Sequence, residues 1–194
     1  MPSDDLDHQL SFLREIDQLK TVIRQSPLLD RSRKENSAEH SWHVAMYAML
    51  LHKYAAAPVD ASRVIQMLLI HDIVEVDAGD HPLHASGGSS RQAELESLAA
   101  ERLFGLLPTE QKAEMLALWR EFEAGKSDDA KFAKALDRFQ PLVANVVSDG
   151  GTWAQNGVTV EQVRARYGTT IQRGAPELWR LCERWIEEYF SREA

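Results

Sequence analysis

The chain has 194 residues, of which 44% are hydrophobic and 27% charged, with a formal net charge of −8. That balance supplies one packed core and excludes a chain disordered throughout. The acidic surplus, with no long Lys/Arg run, argues against a nucleic-acid partner, and no apolar run is long enough to cross a bilayer.

The single cysteine, Cys182, rules out an internal disulfide and fits a reducing compartment. The start, Met1-Pro2-Ser3-Asp4-Asp5, lacks the apolar stretch of a secretory signal. A cytoplasmic protein with neither a membrane nor a nucleic-acid partner is expected.

Taken in order, Leu6, Leu10, Leu13, Ile16, Leu19 and Ile23 recur at helical spacing and predict a helix over 4–25, stopped by Pro27. Residues 28–37 read as a polar loop. Its Arg31, Arg33 and Lys34 form the one tight basic group, sized for a small anion rather than a duplex. A second helix is predicted over 38–56, apolar at Val44, Met46, Ala48, Leu50 and Leu51, and ended by Pro58. Asp60 is placed to cap a third, over 61–76, with Val64, Ile65, Leu68 and Leu69 inward. Gly79, Pro82, Gly87 and Gly88 make 77–90 a long turn-rich loop.

Helices follow at 91–105, 109–123, 128–148, 159–168 and 176–191. Thr109 and Ser127 serve as caps, Thr159 with Gln162 as a capping box, and Pro176 suits a first turn. No segment alternates with period two between hairpin turns, so the fold class expected is all-α.

The sharpest chemical feature is His71-Asp72, directly after the apolar run Met67-Leu68-Leu69-Ile70. An imidazole and a carboxylate beside buried apolar residues are costly unless paired or metal-bound. Successive helical residues diverge by about 100°, so the two converge on one ion only if each side chain bends toward it. His43 interrupts the second helix, and Asp137 interrupts Ala133-Lys134-Ala135-Leu136-Asp137-Arg138-Phe139. Two imidazoles and two carboxylates suit a divalent transition metal with positions left open. Spacing alone leaves open whether these four meet. Glu75 shares roughly the face of Asp72, three residues earlier. A carboxylate at a helix C-terminus is disfavoured by the dipole, which points to a functional reason such as handling the proton of a water.

The order His43, then His71-Asp72, then Asp137 resembles the H…HD…D pattern of the HD-domain superfamily. The stretch Glu35-Asn36-Ser37-Ala38-Glu39-His40-Ser41-Trp42-His43, with His71-Asp72-Ile73-Val74-Glu75 and Gly79-Asp80, is similar to the branch containing 5′-deoxynucleotidases. The resemblance spans about residues 10–155. It implies an HD-domain helical bundle forming a single domain over 1–194, with residues 156–194 as C-terminal helices. It further implies that His43, His71, Asp72 and Asp137 hold one divalent ion: manganese, cobalt, magnesium, zinc or nickel. Glu75 and Asp80 match the HDxxExxxGD pattern, which places them near the attacking water and the leaving group.

A phosphate substrate needs cations. Arg33 and Lys34 precede the ligand helix and are the candidates, with Arg31 as the spare. Trp42 and Trp153 are candidates to stack on a base, although packing is the commoner role for such a residue. The segment Asn145 to Trp153 reads as a flexible turn able to close over a pocket. His81 and His84 have three readings (a second metal, the pocket lining or solvent), of which solvent is favoured. His8, His40 and His52 receive no role, though His40 lies one turn from His43.

The activity expected is a metal-dependent phosphomonoesterase acting on deoxyribonucleoside 5′-monophosphates or a similar small phosphate ester. The alternatives are hydrolysis of cyclic nucleotides or nucleoside triphosphates, or a non-catalytic nucleotide-binding protein. Homodimerisation is common among such relatives, and the amphipathic 176–191 helix offers a surface for it.

Overall fold

A computed structural model describes residues 2–80 and 89–193. The first predicted helix is divided. Helix α1 runs Pro2–Ile16 and a 3-10 turn covers Asp17–Thr21. The chain then becomes extended as strand β1, Ile23–Pro27, antiparallel to β2, Lys34–Asn36. Leu6, Leu10 and Leu13 face solvent, while Phe12 and Leu19 are buried. The periodic leucines therefore mark an outer stripe, and the β-branched pair Val22-Ile23 leads into the strand.

The hairpin turn is closed by Leu28 N–H donating to the Arg33 carbonyl at 2.9 Å, with Arg31 at φ 62°. Asn36 ends β2 and caps helix α2, Ser37–Leu51. Its side chain accepts from the Glu39 N–H, and the Glu39 carboxylate accepts from the Asn36 N–H. Strand and helix are thus welded at one residue.

Helix α3, Ala61–Ile70, is capped by Asp60, which accepts from the N–H groups of Ser62 and Arg63. It ends six residues earlier than the pattern predicts. Residues 71–74 form a tight turn, with Ile73 N–H bonded to the Ile70 carbonyl and Glu75 N–H to that of Asp72. The short helix α4, Glu75–Ala78, follows. Glu75 accordingly opens a helical turn rather than closing one, and the dipole argument made for it does not hold.

The remaining helices are α5 (Ser89–Phe104), α6 (Thr109–Ala124), α7 (Asp128–Val147), α8 (Gly151–Asn156), α9 (Val160–Gly174) and α10 (Pro176–Glu193). Helix α9 runs past the predicted end at 168. Gly168 is no stop: a Cβ there would lie 2.9 Å from the Trp179 ring, so the residue lets α10 approach. Helix α7 is the central post, packed on α2, α3, α6, α9 and α10. Its Phe132, Leu136 and Leu142 join Val44 and Ala48 of α2, Met67 and Leu68 of α3, Ile171 of α9 and Ile186 of α10 in one apolar cluster. Burying each large member is worth about 1.5–3 kcal/mol.

Pro141 lies inside α7, so the carbonyl of Asp137 loses its usual i+4 N–H partner. The α7–α8 connection is not an open flap. Asn145 Oδ1 accepts from the Thr152 N–H at 2.7 Å and from the Thr152 hydroxyl at 2.8 Å. Gly150, at φ 90°, sits where a Cβ would overlap the Tyr189 hydroxyl. The all-helical expectation holds, with the hairpin as an addition. Among the described residues no helix is long and apolar enough to cross a membrane.

Candidate metal centre and its cavity

Three elements converge at the middle of α7. The first turn of α2 brings His40, the turn after α3 brings His71 and Asp72, and α7 itself brings Asp137. His40, His71 and Asp72 each offer a ligand atom, and these atoms all lie within 4.8 Å of one another. Asp137 Oδ1 is 3.1 Å from His40 Nε2 and 3.6 Å from His71 Nε2. His71 Nε2 is 3.1 Å from Asp72 Oδ1.

The tight turn over 71–74 is what lets two adjacent side chains meet. A continuous helix would splay them.

His71 Nδ1 lies 2.8 Å from the Leu68 carbonyl, which can only accept, so this nitrogen carries the hydrogen. In the neutral ring Nε2 would then be bare, and it is buried and without a hydrogen-bond partner among the described residues. A bare nitrogen facing carboxylate oxygens is repulsive unless a proton or a cation lies between them. Burial opposes charge on His71, but Asp72 and Asp137 outweigh it and raise the imidazole to about 9. Burial likewise opposes charge on Asp137, yet Arg138, His40 and His71 hold its carboxyl well below the ordinary range. This donor set, two nitrogens and two carboxylates around an orphaned buried atom, fits a divalent ion.

His71, Asp72 and Asp137 are thus brought together as the sequence anticipates, and His43 is not. Its ring stacks on Trp42 and meets Tyr47 edge-on, and its Nδ1 faces Gln140 at 3.3 Å. Burial lowers its imidazole pKa, against the pull of Glu35. His40 takes the inner place. Ser37, His40, Ser41, Val44, Ala45 and Ala48 form the buried face of α2, and His43 lies off it.

Arg24 on β1 brings a buried cation to this site, and Arg138 Nη1 donates to Asp137 Oδ2 at 3.1 Å. Arg24 Nη1 donates to Asp72 Oδ2 at 2.9 Å and lies 3.8 Å from both Glu75 Oε1 and Asp80 Oδ1. Burial opposes its charge, but Asp72, Glu75, Asp137 and Asp80 more than compensate and raise its pKa. Arg24 gives little signal in the sequence, because it stands alone beside Val22-Ile23 while the basic group Arg31, Arg33 and Lys34 lies further on.

Arg33 instead pairs with Glu39, Lys34 donates to Gln25 Oε1 at 2.7 Å, and Arg31 is exposed in the hairpin turn. None of the three lines the cavity described next.

Glu75 accepts a hydrogen bond from the Ser37 hydroxyl at 2.5 Å. Burial pushes its carboxyl up to about 8, reinforced by Asp72 and Asp80 and opposed by Arg24 and Ser37. Asp80 is also nearly buried. These groups open on a cavity of about 560 Å³. Trp119, Phe122, Val158 and Tyr167 supply its apolar wall, and Arg138, Asn156 and Arg166 contribute polar groups.

Trp42 is 61% exposed and outside this lining, so a stacking role there has no geometric support. Trp153 is buried in a ring cluster with Tyr167, Tyr189 and Phe190. His81 and His84 lie outside the described residues.

A family model described as HD domain matches residues 16–179. The 5′-deoxynucleotidase HDDC2 of Mus musculus is 30% identical over 135 residues, covering 69% of this chain and 66% of that protein. A 5′-deoxynucleotidase of Enterobacter sp. (strain 638) is 30% identical over 128 residues, covering 62% of this chain and 64% of that protein. The chain therefore spans just under two thirds of the length of these two curated relatives. A solved structure, a predicted metal-dependent phosphohydrolase from Magnetospirillum magnetotacticum MS-1, is 48% identical with a TM-score of 0.94, covering 100% of this chain and 96% of that one.

Proposed function

Because this chain belongs to the HD domain family, we propose that it is a metal-dependent phosphomonoesterase acting on deoxyribonucleoside 5′-monophosphates. The observation that carries the reading is the buried group of His40, His71, Asp72 and Asp137, with its orphaned His71 Nε2, opening on the same cavity as Arg24 and Glu75.

Those four residues would hold the ion. When bound, it supplies positive charge to a phosphoryl oxygen and lowers the pKa of a water. With two imidazoles among the donors, manganese, cobalt, zinc or nickel suits the set better than magnesium. Arg24 serves as the phosphate clamp. Its guanidinium is already desolvated, and a dianionic phosphate would replace part of the carboxylate company it keeps.

Glu75 takes the proton of the attacking water. Without an ion, burial holds this carboxyl up at about 8 and largely protonated; the positive charge of a bound ion would favour the ionised form, which can accept a proton. Asp80, beside Arg24, assists the leaving oxygen. The apolar wall accommodates the nucleoside, and the cavity volume lies in the range of small-molecule sites.

The test is phosphate release by purified protein with manganese or cobalt against nucleoside mono-, tri- and cyclic monophosphates. Inorganic phosphate from deoxynucleoside monophosphates is expected. Release of triphosphate, opening of a cyclic ester, or no turnover on any of them overturns the assignment.

A further inference from the structure

Beneath the candidate metal site runs a second row of buried polar side chains to which no role has been given. Glu35, on β2, is 3% exposed, and Gln140, one turn after Asp137 on α7, is 4% exposed. Gln140 Nε2 donates to Glu35 Oε2 at 3.2 Å and also faces His43 Nδ1 at 3.3 Å. On the other side of the amide, Gln140 Oε1 lies 3.1 Å from His40 Nδ1.

The orientation of that amide follows from its neighbours. Turning it over would set its oxygen against the Glu35 carboxylate and its NH₂ against His40. With NH₂ toward Glu35 and His43, the oxygen faces His40 Nδ1, which must then carry the hydrogen. The other nitrogen, Nε2, lies 3.1 Å from Asp137 Oδ1, donating to that carboxylate when the ring is protonated and turning its lone pair to an ion when the ring is neutral.

Glu35 also reaches Arg24. Its Oε1 is 3.7 Å from both Arg24 Nε and His40 Nδ1, and while His40 Nδ1 meets the nearer Gln140 Oε1 at 3.1 Å, neither Glu35 Oε1 nor Arg24 Nε has a hydrogen-bond partner among the described residues. That spacing is too long for a hydrogen bond but keeps a buried anion beside a buried cation.

We propose that Gln140 and Glu35 are positioning residues that prepare the two halves of the site. Gln140 fixes the ring orientation and tautomer of His40 for the ion, and Glu35 anchors Arg24 for the phosphate. His43 contributes by accepting from Gln140, which holds the amide the right way round. The histidine that sequence placed at the ion thus acts one shell further out, through Gln140. This inference rests on the phosphohydrolase reading only for its phosphate half.

Nitrogen-15 NMR of the zinc-loaded wild-type protein reads the tautomer with no variant and no substrate. His40 is expected with hydrogen on Nδ1, and hydrogen on Nε2 overturns the proposal. Cobalt(II) affinity, measured by chelator competition, should weaken about 10–100-fold in Gln140→Leu. Should that variant not fold, His43→Leu is expected to weaken cobalt about threefold, as the loss of one remote bond does. Wild-type affinity in both variants overturns the proposal.

Glu35→Gln keeps an oxygen for Gln140 but loses the charge facing Arg24. Cobalt affinity should stay within about threefold while KM for a deoxynucleoside monophosphate rises about tenfold and kcat holds. A fall in cobalt affinity matching Gln140→Leu overturns the division of labour. If the protein hydrolyses no nucleotide, the phosphohydrolase reading fails, and the tautomer and cobalt results still decide the metal half.

Discussion

Arg24 and Arg33 stand on one hairpin nine residues apart, and each meets carboxylate. Arg33 sits in solvent, joined to Glu39, and the pair can be traded for water at little cost. Arg24 is almost enclosed and faces Asp72, Glu75 and Asp80, with Glu35 behind it. The same ion-pair chemistry is a surface detail in one place and part of a site in the other. What separates them is desolvation: a buried cation among several buried anions fixes geometry and leaves the group strongly coupled to any phosphate that enters.

The contrast is sharpest where a charge is removed from the enclosed end. Asp137→Ala should abolish stoichiometric metal uptake and lower kcat/KM on the order of 10³-fold or more, read by elemental analysis and phosphate release. Arg24→Met should leave metal uptake intact and lower kcat/KM about 10²–10³-fold, as loss of a phosphate-facing cation does. Arg33→Met should change kcat/KM less than about twofold and Tm by less than about 2 °C. Equal losses for the two arginines would erase the distinction.

Glu75→Gln comes next, with kcat down about 10²-fold and metal uptake kept. It also carries a pH signature in the metal-free protein. The Glu75 carboxyl is raised in the fold to about 8, whereas unfolded glutamate titrates near about 4.3. The unfolded chain therefore gives up this proton first, and stability that is whole below about pH 4.3 drains away as pH climbs through 8. Glu75→Gln removes that drain. Its melting temperature should match wild type near about pH 4.5 and exceed it on the order of 5 °C near about pH 8.5. Parallel melting curves across that range would show that Glu75 is not held protonated. At the bottom of the scale, Trp42→Ala should leave KM within about twofold, because the ring lies outside the cavity.

Helices α5, α6, α7 and α10 were legible because their signals are local: apolar periodicity, Ser127 as a cap, Pro176 in a first turn. The hairpin was not. Its strands are five and three residues long, and Ile23 finds its partner Asn36 across a turn that no alternation announces. Leu6, Leu10 and Leu13 added to the error by extending a helical pattern on a face that stays wet. At the site, His71-Asp72 stood out because a polar pair after four apolar residues demands a partner. His40 and His43 lie on one turn of one helix. Choosing between them required the buried face of α2, which Val44 and Ala48 define only once α7 is known to pack there. Arg24 could not be found by composition at all, since its partners come from residues 35, 72, 75 and 80.

The central claim, that the ion sits among His40, His71, Asp72 and Asp137, is tested most directly by the metal content of two variants prepared side by side. His40→Ala should lose bound manganese or cobalt, while His43→Ala should retain about one ion per chain with modestly reduced affinity. The opposite pattern, with metal lost from His43→Ala and kept in His40→Ala, would contradict the account.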